Sequence, residues 1–189
     1  NIKNLSEFKN KDVSSLTACI LDRPRHKKII DKLKDLNVNL KLITDGDVLG
    51  AIYVSDPKYN VDMYLGIGGG PEGVLAGSAL DAFDCFFQGR FIFDNDKDIN
   101  EAKKMGITDL DKKYELNEII KGDSIFCATG ITSSKILKAI EIKNDTFASE
   151  TFVTHKDSNF KKIVKKTDPI SEWFQFQEEI GNKKKLIKI

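Results

Sequence analysis

The chain has 189 residues, 40% of them apolar and 31% charged, with a formal net charge of +1. That length supports one domain with a real core, and the balanced charge argues against nucleic acid or a membrane surface as a partner. No apolar stretch approaches the roughly 20 residues of a membrane span, and the polar first residues do not read as a signal peptide. Residues 1–15 are polar and rich in Lys and Asn, and read as a linker or a surface helix. Residues 16–22 (LTACILD) form a short apolar run, which predicts a buried strand. Residues 25–37 carry apolar side chains at 29, 30, 33 and 36, a helical spacing. Residues 39–45 predict a second strand, 47–55 a short helix, 61–67 a third strand, 71–83 a third helix and 85–93 a fourth strand. Alternation of this kind means βαβ units and a largely parallel sheet.

Beyond residue 95 the pattern loosens. Helices are expected over 96–105 and near 115–120, and a strand over 124–130 (SIFCATG). The stretches ILKAIEI, TFASETFVTH and NFKKIVKK are rich in Ile, Val, Thr and Phe and close enough to pair as antiparallel neighbours. The fold class is therefore α/β, with a mixed sheet whose early βα units are parallel and whose later strands are antiparallel. The expected organisation is a connection over 1–15, an α/β domain over 16–167 and a tail over 168–189, whose lysine run reads as solvated. Cys19, Cys85 and Cys127 lie far apart in apolar runs, with no C-x-x-C spacing; they read as buried, reduced thiols of a reducing compartment.

The chemistry is expected at the ends of the early strands. Asp22-Arg23-Pro24-Arg25-His26 follows the first, Asp45-Gly46-Asp47 the second, and the turn Gly66-Ile67-Gly68-Gly69-Gly70-Pro71-Glu72 the third, a recurrence of about 23 residues. In a parallel sheet all these ends share one edge, where ligands bind. Arg23 and Arg25 flank a proline suited to a helix start. Two guanidinium forks there suit a phosphate; the bland alternative is a salt bridge to Asp22. His26 reads as a helix-start residue. Asp45 and Asp47 serve either as helix caps or, with a glycine that allows close approach, as hydroxyl or metal ligands. The glycine turn lacks the G-K-[ST] of a phosphate-binding loop. It also lacks the acidic residue that a dinucleotide fingerprint wants after the next strand. Glu72 is either a residue favoured by the helix dipole or a carboxylate beside a phosphate site, which makes chemical sense when a divalent cation bridges the two.

The motifs LDRPRH, LITDGDV and GIGGGPEGV, in this order and spacing, together with QGR (88–90), GDSIFCATGIT (122–132) and TFVTH (151–155), resemble the class II fructose-1,6-bisphosphatases, which in many bacteria also act on sedoheptulose 1,7-bisphosphate. The resemblance runs from about Lys11 to about Lys166. It implies a sugar-phosphatase-type layered fold and metal-dependent hydrolysis of fructose 1,6-bisphosphate in cytoplasmic gluconeogenesis. It also implies that Arg23, Pro24 and Arg25 hold a sugar phosphate, that Asp45, Gly46 and Asp47 contact the sugar, that Gly69 touches substrate, and that Glu72 ligates Mn²⁺ or Mg²⁺. Gly70 stands where relatives often carry Ala, Ser or Thr. The G-E-G-E and D-P-x-E-G-T metal-ligand motifs of the family's first half are absent; Asp168-Pro169 is a superficial echo. The chain therefore resembles the substrate-binding C-terminal half, with the N-terminal half as its implied partner, inactive alone and with no confident catalytic residue of its own. Homo-oligomerisation is left open. The competing reading is a non-catalytic sugar-phosphate-binding module that lacks the metal centre.

Overall fold

The computed structural model describes residues 1–172 and comprises two compact units, Asn1–Ser124 and Ile125 onward. The α/β class holds, with parallel pairing early and antiparallel pairing late, but the strands form three sheets rather than one.

The first unit is built on a three-stranded parallel sheet of order β2-β1-β3. Strand β1 (Thr17–Leu21) pairs with β2 (Asn39–Ile43) and with β3 (Met63–Tyr64). Apolar side chains on one face of this sheet, Leu16, Ala18, Leu40, Met63 and Leu65, meet Leu33 and Leu36 of the intervening helical segment, α2 (Lys27–Asp35) and its C-terminal cap. That helix ends in a Schellman-type stop: Val38 N–H donates to Leu33 C=O, and Asn37 adopts φ 55, in the left-handed region. Of the two readings of the polar N-terminal stretch, linker or surface helix, residues 2–9 form the helix, α1 (Ile2–Lys9), and Ile2 anchors it by burial in the same cluster.

The opposite face carries α3 (Asp47–Ile52), packed on α4 (Gly70–Asp81) through Ala51, Ala76 and Leu80, with Tyr64, Cys85 and Phe87 against them. Gly50 makes this approach possible. A Cβ there would stand 2.7 Å from Ile43 Cδ1 and 2.8 Å from the Tyr64 ring.

Two expectations need correction in this unit. Residues 85–93 are not a fourth parallel strand. Only β4 (Gln88–Gly89) pairs, antiparallel to β5 (Tyr114–Glu115). An interior parallel strand must be apolar on both faces. Here Cys85 and Phe87 point into the α3–α4 cluster while Phe86, Gln88 and Arg90 stay exposed. The third strand is also shorter than 61–67, because the glycine turn leaves the sheet after Leu65, whose N–H still donates to Cys19 C=O. The helices expected near 96–105 and 115–120 are α5 (Asp96–Lys104), capped by the Asn95 side chain, and α6 (Leu116–Ile119).

The second unit is an antiparallel sheet in which β8 (Thr146–His155) pairs on one side with β6 (Ile125–Thr129) and β7 (Glu141–Lys143), and on the other with β9 (Phe160–Pro169). The expected strand over 136–142 is confined to its end. Ser134 Oγ accepts from the N–H groups of Ile136 and Leu137, and Glu150 Oε2 accepts from Lys138 N–H, so side chains satisfy backbone that a ladder would otherwise pair. Glu150 is held below the usual carboxylate range by the Lys138 N–H and then by Lys165. None of the three cysteines is in a disulfide, but only Cys19 is buried; Cys127 is exposed, on the same face of β6 as exposed Ile125 and Thr129. The lysine-rich end GNKKKLIKI lies outside the described residues.

Two outcomes test the packing. Gly50→Ala is expected to destabilise the first unit by about 1–3 kcal/mol through overpacking, read as a lower denaturant midpoint. Asp62, just before β3, accepts from Thr17 N–H at 2.9 Å and from Lys9 Nζ at 2.5 Å. Partial burial raises its pKa, but the Lys9 and Thr17 bonds outweigh burial and hold it below 3.8. Its stabilisation is therefore complete above the unfolded value and lost as pH falls through the lower folded one. Asp62→Ala should cost about 1–3 kcal/mol at pH 7, and the difference between variant and wild type should shrink on acid titration.

Candidate functional site

Each early strand ends at the same edge of the parallel sheet. Strand β1 passes from Leu21 into Asp22, whose N–H donates to Ile43 C=O at 2.8 Å, so β1 and β2 leave the sheet side by side. Arg23 is extended (φ −133, ψ 148), as a residue before proline must be. Pro24 then opens a single 3-10 turn, Pro24–His26, that runs directly into α2. Residues 22 to 25 are exposed, whereas His26 is fully buried. Neither guanidinium forms an ion pair with Asp22 among the described residues.

The His26 ring spans two chain segments. Its Nδ1 lies 2.7 Å from Leu21 C=O, and its Nε2 accepts from Ile67 N–H at 2.8 Å. A carbonyl on one side and an N–H on the other fix the tautomer as neutral with the proton on Nδ1. The 3.1 Å separation of Nε2 from Ile67 O is then a contact rather than a hydrogen bond. Arg25 Nε donates to that same carbonyl at 2.6 Å. Both polar groups of Ile67 are thus taken by the arginine motif, 41 and 42 residues earlier.

The Asp-Gly-Asp turn sits at the end of β2. Gly46 adopts φ 79, ψ 57, and its N–H donates to Asp45 Oδ1 at 2.8 Å. Asp47 begins α3, and its Oδ1 accepts from Val48 N–H at 2.9 Å. Its Oδ2 faces the glycine turn, 3.9 Å from where a Cβ on Gly68 would stand. Tyr64, the last residue of β3, lies between the motifs. Burial holds its phenol well above the ordinary value, the Asp47 carboxylate adds to the rise, and the Arg25 guanidinium opposes it. Arg25 bonded to Ile67 O and Asp47 facing Gly68 bring those two side chains to adjacent residues of the glycine turn.

Beyond Ile67 the chain runs through Gly68, Gly69 and Gly70 into α4, with Pro71 in its first turn. Glu72 is exposed in that turn and folds back over Gly69, where any Cβ would collide with Glu72 Oε2. The exposed glutamate can turn aside and Gly69 is extended at φ −69, so this contact alone does not demand glycine; it shows the carboxylate resting against bare backbone. As a metal centre the set is incomplete. The described residues hold no group of three or more His, Cys, Asp or Glu side chains placed around one ion. A hard divalent cation wants about six oxygens, so Glu72 alone does not make such a site.

The structure thus puts Arg23, Pro24, Arg25, Asp45, Gly46, Asp47, Gly69 and Glu72 at one sheet edge, and links Arg25, Asp47 and the glycine turn through Ile67, Tyr64 and Gly68. For Arg23 and Asp45 it gives the edge and no link across it. Sequence reasoning missed His26 and Tyr64. A histidine directly after the arginines was the one available signal for the first, and nothing in the spacing pointed to its partner at Ile67.

The family model described as bacterial fructose-1,6-bisphosphatase, glpX-encoded, matches residues 1–168. Among curated relatives, the D-fructose 1,6-bisphosphatase class 2/sedoheptulose 1,7-bisphosphatases of Trichodesmium erythraeum and Synechococcus elongatus are each 30% identical over 177 residues, covering 87% of this chain and 51% of theirs. A Synechococcus sp. relative of the same name is 31% identical over the same span. The chain spans about half the length of the curated relatives it matches. With a match across nearly all its described residues, the chain belongs to the glpX-type bacterial fructose-1,6-bisphosphatase family, the class II enzymes.

Proposed function

We propose that this chain is the substrate-binding half of a phosphatase that hydrolyses fructose 1,6-bisphosphate to fructose 6-phosphate and phosphate, in cytoplasmic gluconeogenesis. The observation that carries the reading is the joining of the arginine motif to the glycine turn at Ile67, with the Asp47 carboxylate facing the next residue of that turn, Gly68. Arg25 has spent Nε on Ile67, and no other bond to it occurs among the described residues. Its two terminal amino groups are left to grip the phosphate that is not cleaved, with Arg23 alongside and Pro24 fixing the turn between them. Asp45 and Asp47, set by the left-handed Gly46, accept from sugar hydroxyls. The bare backbone at Gly69 lets the substrate approach closely. Holding the substrate at its far phosphate and its hydroxyls orients the phosphate to be cleaved. Glu72 contributes one ligand to a divalent ion, Mn²⁺ or Mg²⁺, whose remaining ligands lie outside this chain; such an ion would activate water. The partner is the other half of the enzyme.

Two measurements test the reading. In the complete enzyme, Arg25→Ala should raise KM for the bisphosphate more than it lowers kcat, since a remote anchor holds ground state and transition state alike. Loss of one charge-assisted contact, about 1.5–3 kcal/mol, corresponds to roughly tenfold to a hundredfold in KM; an unchanged KM refutes the anchor. The 189-residue chain alone, supplied with Mn²⁺, should bind fructose 6-phosphate weakly and release no phosphate. Turnover should appear when the N-terminal half is added. Turnover by the chain alone would overturn the division of labour, and binding without turnover after mixing would favour the non-catalytic module.

A further inference from the structure

We infer that His26 is the positioning residue of this edge, setting where the glycine turn stands relative to the arginines, so that a phosphorylated ligand gripped by Arg23 and Arg25 meets the backbone of Gly68 and Gly69 in one fixed register. The inference rests on the phosphate-anchor reading and adds to it a group that touches no substrate. Of the five residues 66–70, four are glycine, with little backbone preference of their own. Ile67 is the exception, and it is the residue that is tied down. Its N–H is held by His26 Nε2 at 2.8 Å and its C=O by Arg25 Nε at 2.6 Å. The His26 ring is in turn fixed to the end of β1 through Leu21 C=O at 2.7 Å, and it is fully buried, so no water competes for either nitrogen. The demands on the two nitrogens are opposite, a donor toward Leu21 and an acceptor toward Ile67. No amide side chain reproduces both positions: glutamine can return the acceptor near Nε2, asparagine the donor near Nδ1, and phenylalanine fills the space with neither. A histidine that merely filled the core would change stability when replaced, but would not discriminate between these variants in ligand binding.

The experiment compares wild type with His26→Phe, His26→Gln and His26→Asn in the 189-residue chain. It uses fructose 6-phosphate as the probe, ¹⁵N-histidine spectra for the tautomer, and hydrogen exchange at the Ile67 amide. Wild type should show a protonated Nδ1, an unprotonated Nε2 and a protected Ile67 N–H. His26→Phe should lose that protection and weaken fructose 6-phosphate binding by about tenfold or more, His26→Gln should recover most of both, and His26→Asn should not. If His26→Phe fails to fold, the Gln and Asn variants decide the matter between them. An Nε2-protonated tautomer, equal affinities for Gln and Asn, or undiminished binding by a folded Phe variant would overturn the inference. If wild type binds no fructose 6-phosphate, the phosphate-anchor reading fails and the positioning role falls with it, while the tautomer and the Ile67 protection still decide whether the latch exists.

Discussion

Parallel pairing of β1 with a strand on each side is the constraint on which the rest of this edge depends. Leu21 pairs with Ile43, each the last residue of its strand, and Cys19 pairs with Tyr64 at the end of β3. Three chain segments therefore leave the sheet together. Were either flank antiparallel, its motif would emerge at the opposite edge, displaced by a five-residue strand, about 16 Å. Side chains such as those of Arg25 and Asp47 could not bridge that distance. The pairing itself follows from the helical segment between β1 and β2, since parallel neighbours need a crossover and α2 supplies one.

The weak member of this arrangement is β3, only two residues long. Backbone bonds extend its pairing by one residue at each end, from Asp62 N–H to Thr17 C=O and from Leu65 N–H to Cys19 C=O. Side chains then hold it from beyond both ends. Before it, the Asp62 carboxylate ties β3 to the start of β1 and to α1. After it, His26 ties Ile67 to the end of β1. Against the side of β3, Gly50 lets α3 close on the Tyr64 ring. A short strand followed by a glycine-rich turn would otherwise carry a large ordering cost with few contacts to offset it. The compensation comes from groups far away in sequence, so the order of the turn depends on tertiary structure rather than on its own residues.

This explains what was legible in the sequence and what was not. The apolar runs at 16–22 and 39–45 and the 29, 30, 33, 36 spacing are local signals, and β1, β2 and α2 appear where those signals lie. The convergence of the three motifs followed from strand direction alone. The run 85–93 misled because its apolar residues are plentiful but only some are covered: Cys85 and Phe87 pack, whereas Phe86, Phe91 and Ile92 stay exposed, and a run of residue types does not reveal whether a second layer exists to cover them. Residues 136–138 misled for a different reason: Ser134 and Glu150 take their N–H groups, a competition between side chain and ladder that β-propensity does not contain. His26 and Tyr64 were invisible as site residues because their meaning lies in partners that only folding brings near.

The charge arrangement at the edge is itself informative. Asp22, Asp45, Asp47 and Glu72 stand there with Arg23 and Arg25, yet none of these six forms an ion pair among the described residues, whereas lysines elsewhere do, as in Lys9–Asp62, Lys27–Asp31 and Lys165–Glu150. Exposed pairs are worth at most about 1 kcal/mol, so leaving these groups apart costs little stability. What they retain is binding capacity. Guanidinium forks not closed on a carboxylate stay open to a phosphate, and carboxylates not neutralised by a guanidinium stay open to hydroxyls or a cation. In the reading proposed above, an edge that gathers both signs and keeps them apart suits a ligand that carries phosphate and hydroxyl groups on one small frame. The glycine backbone between the two charge sets removes the side chains that would hold such a ligand off.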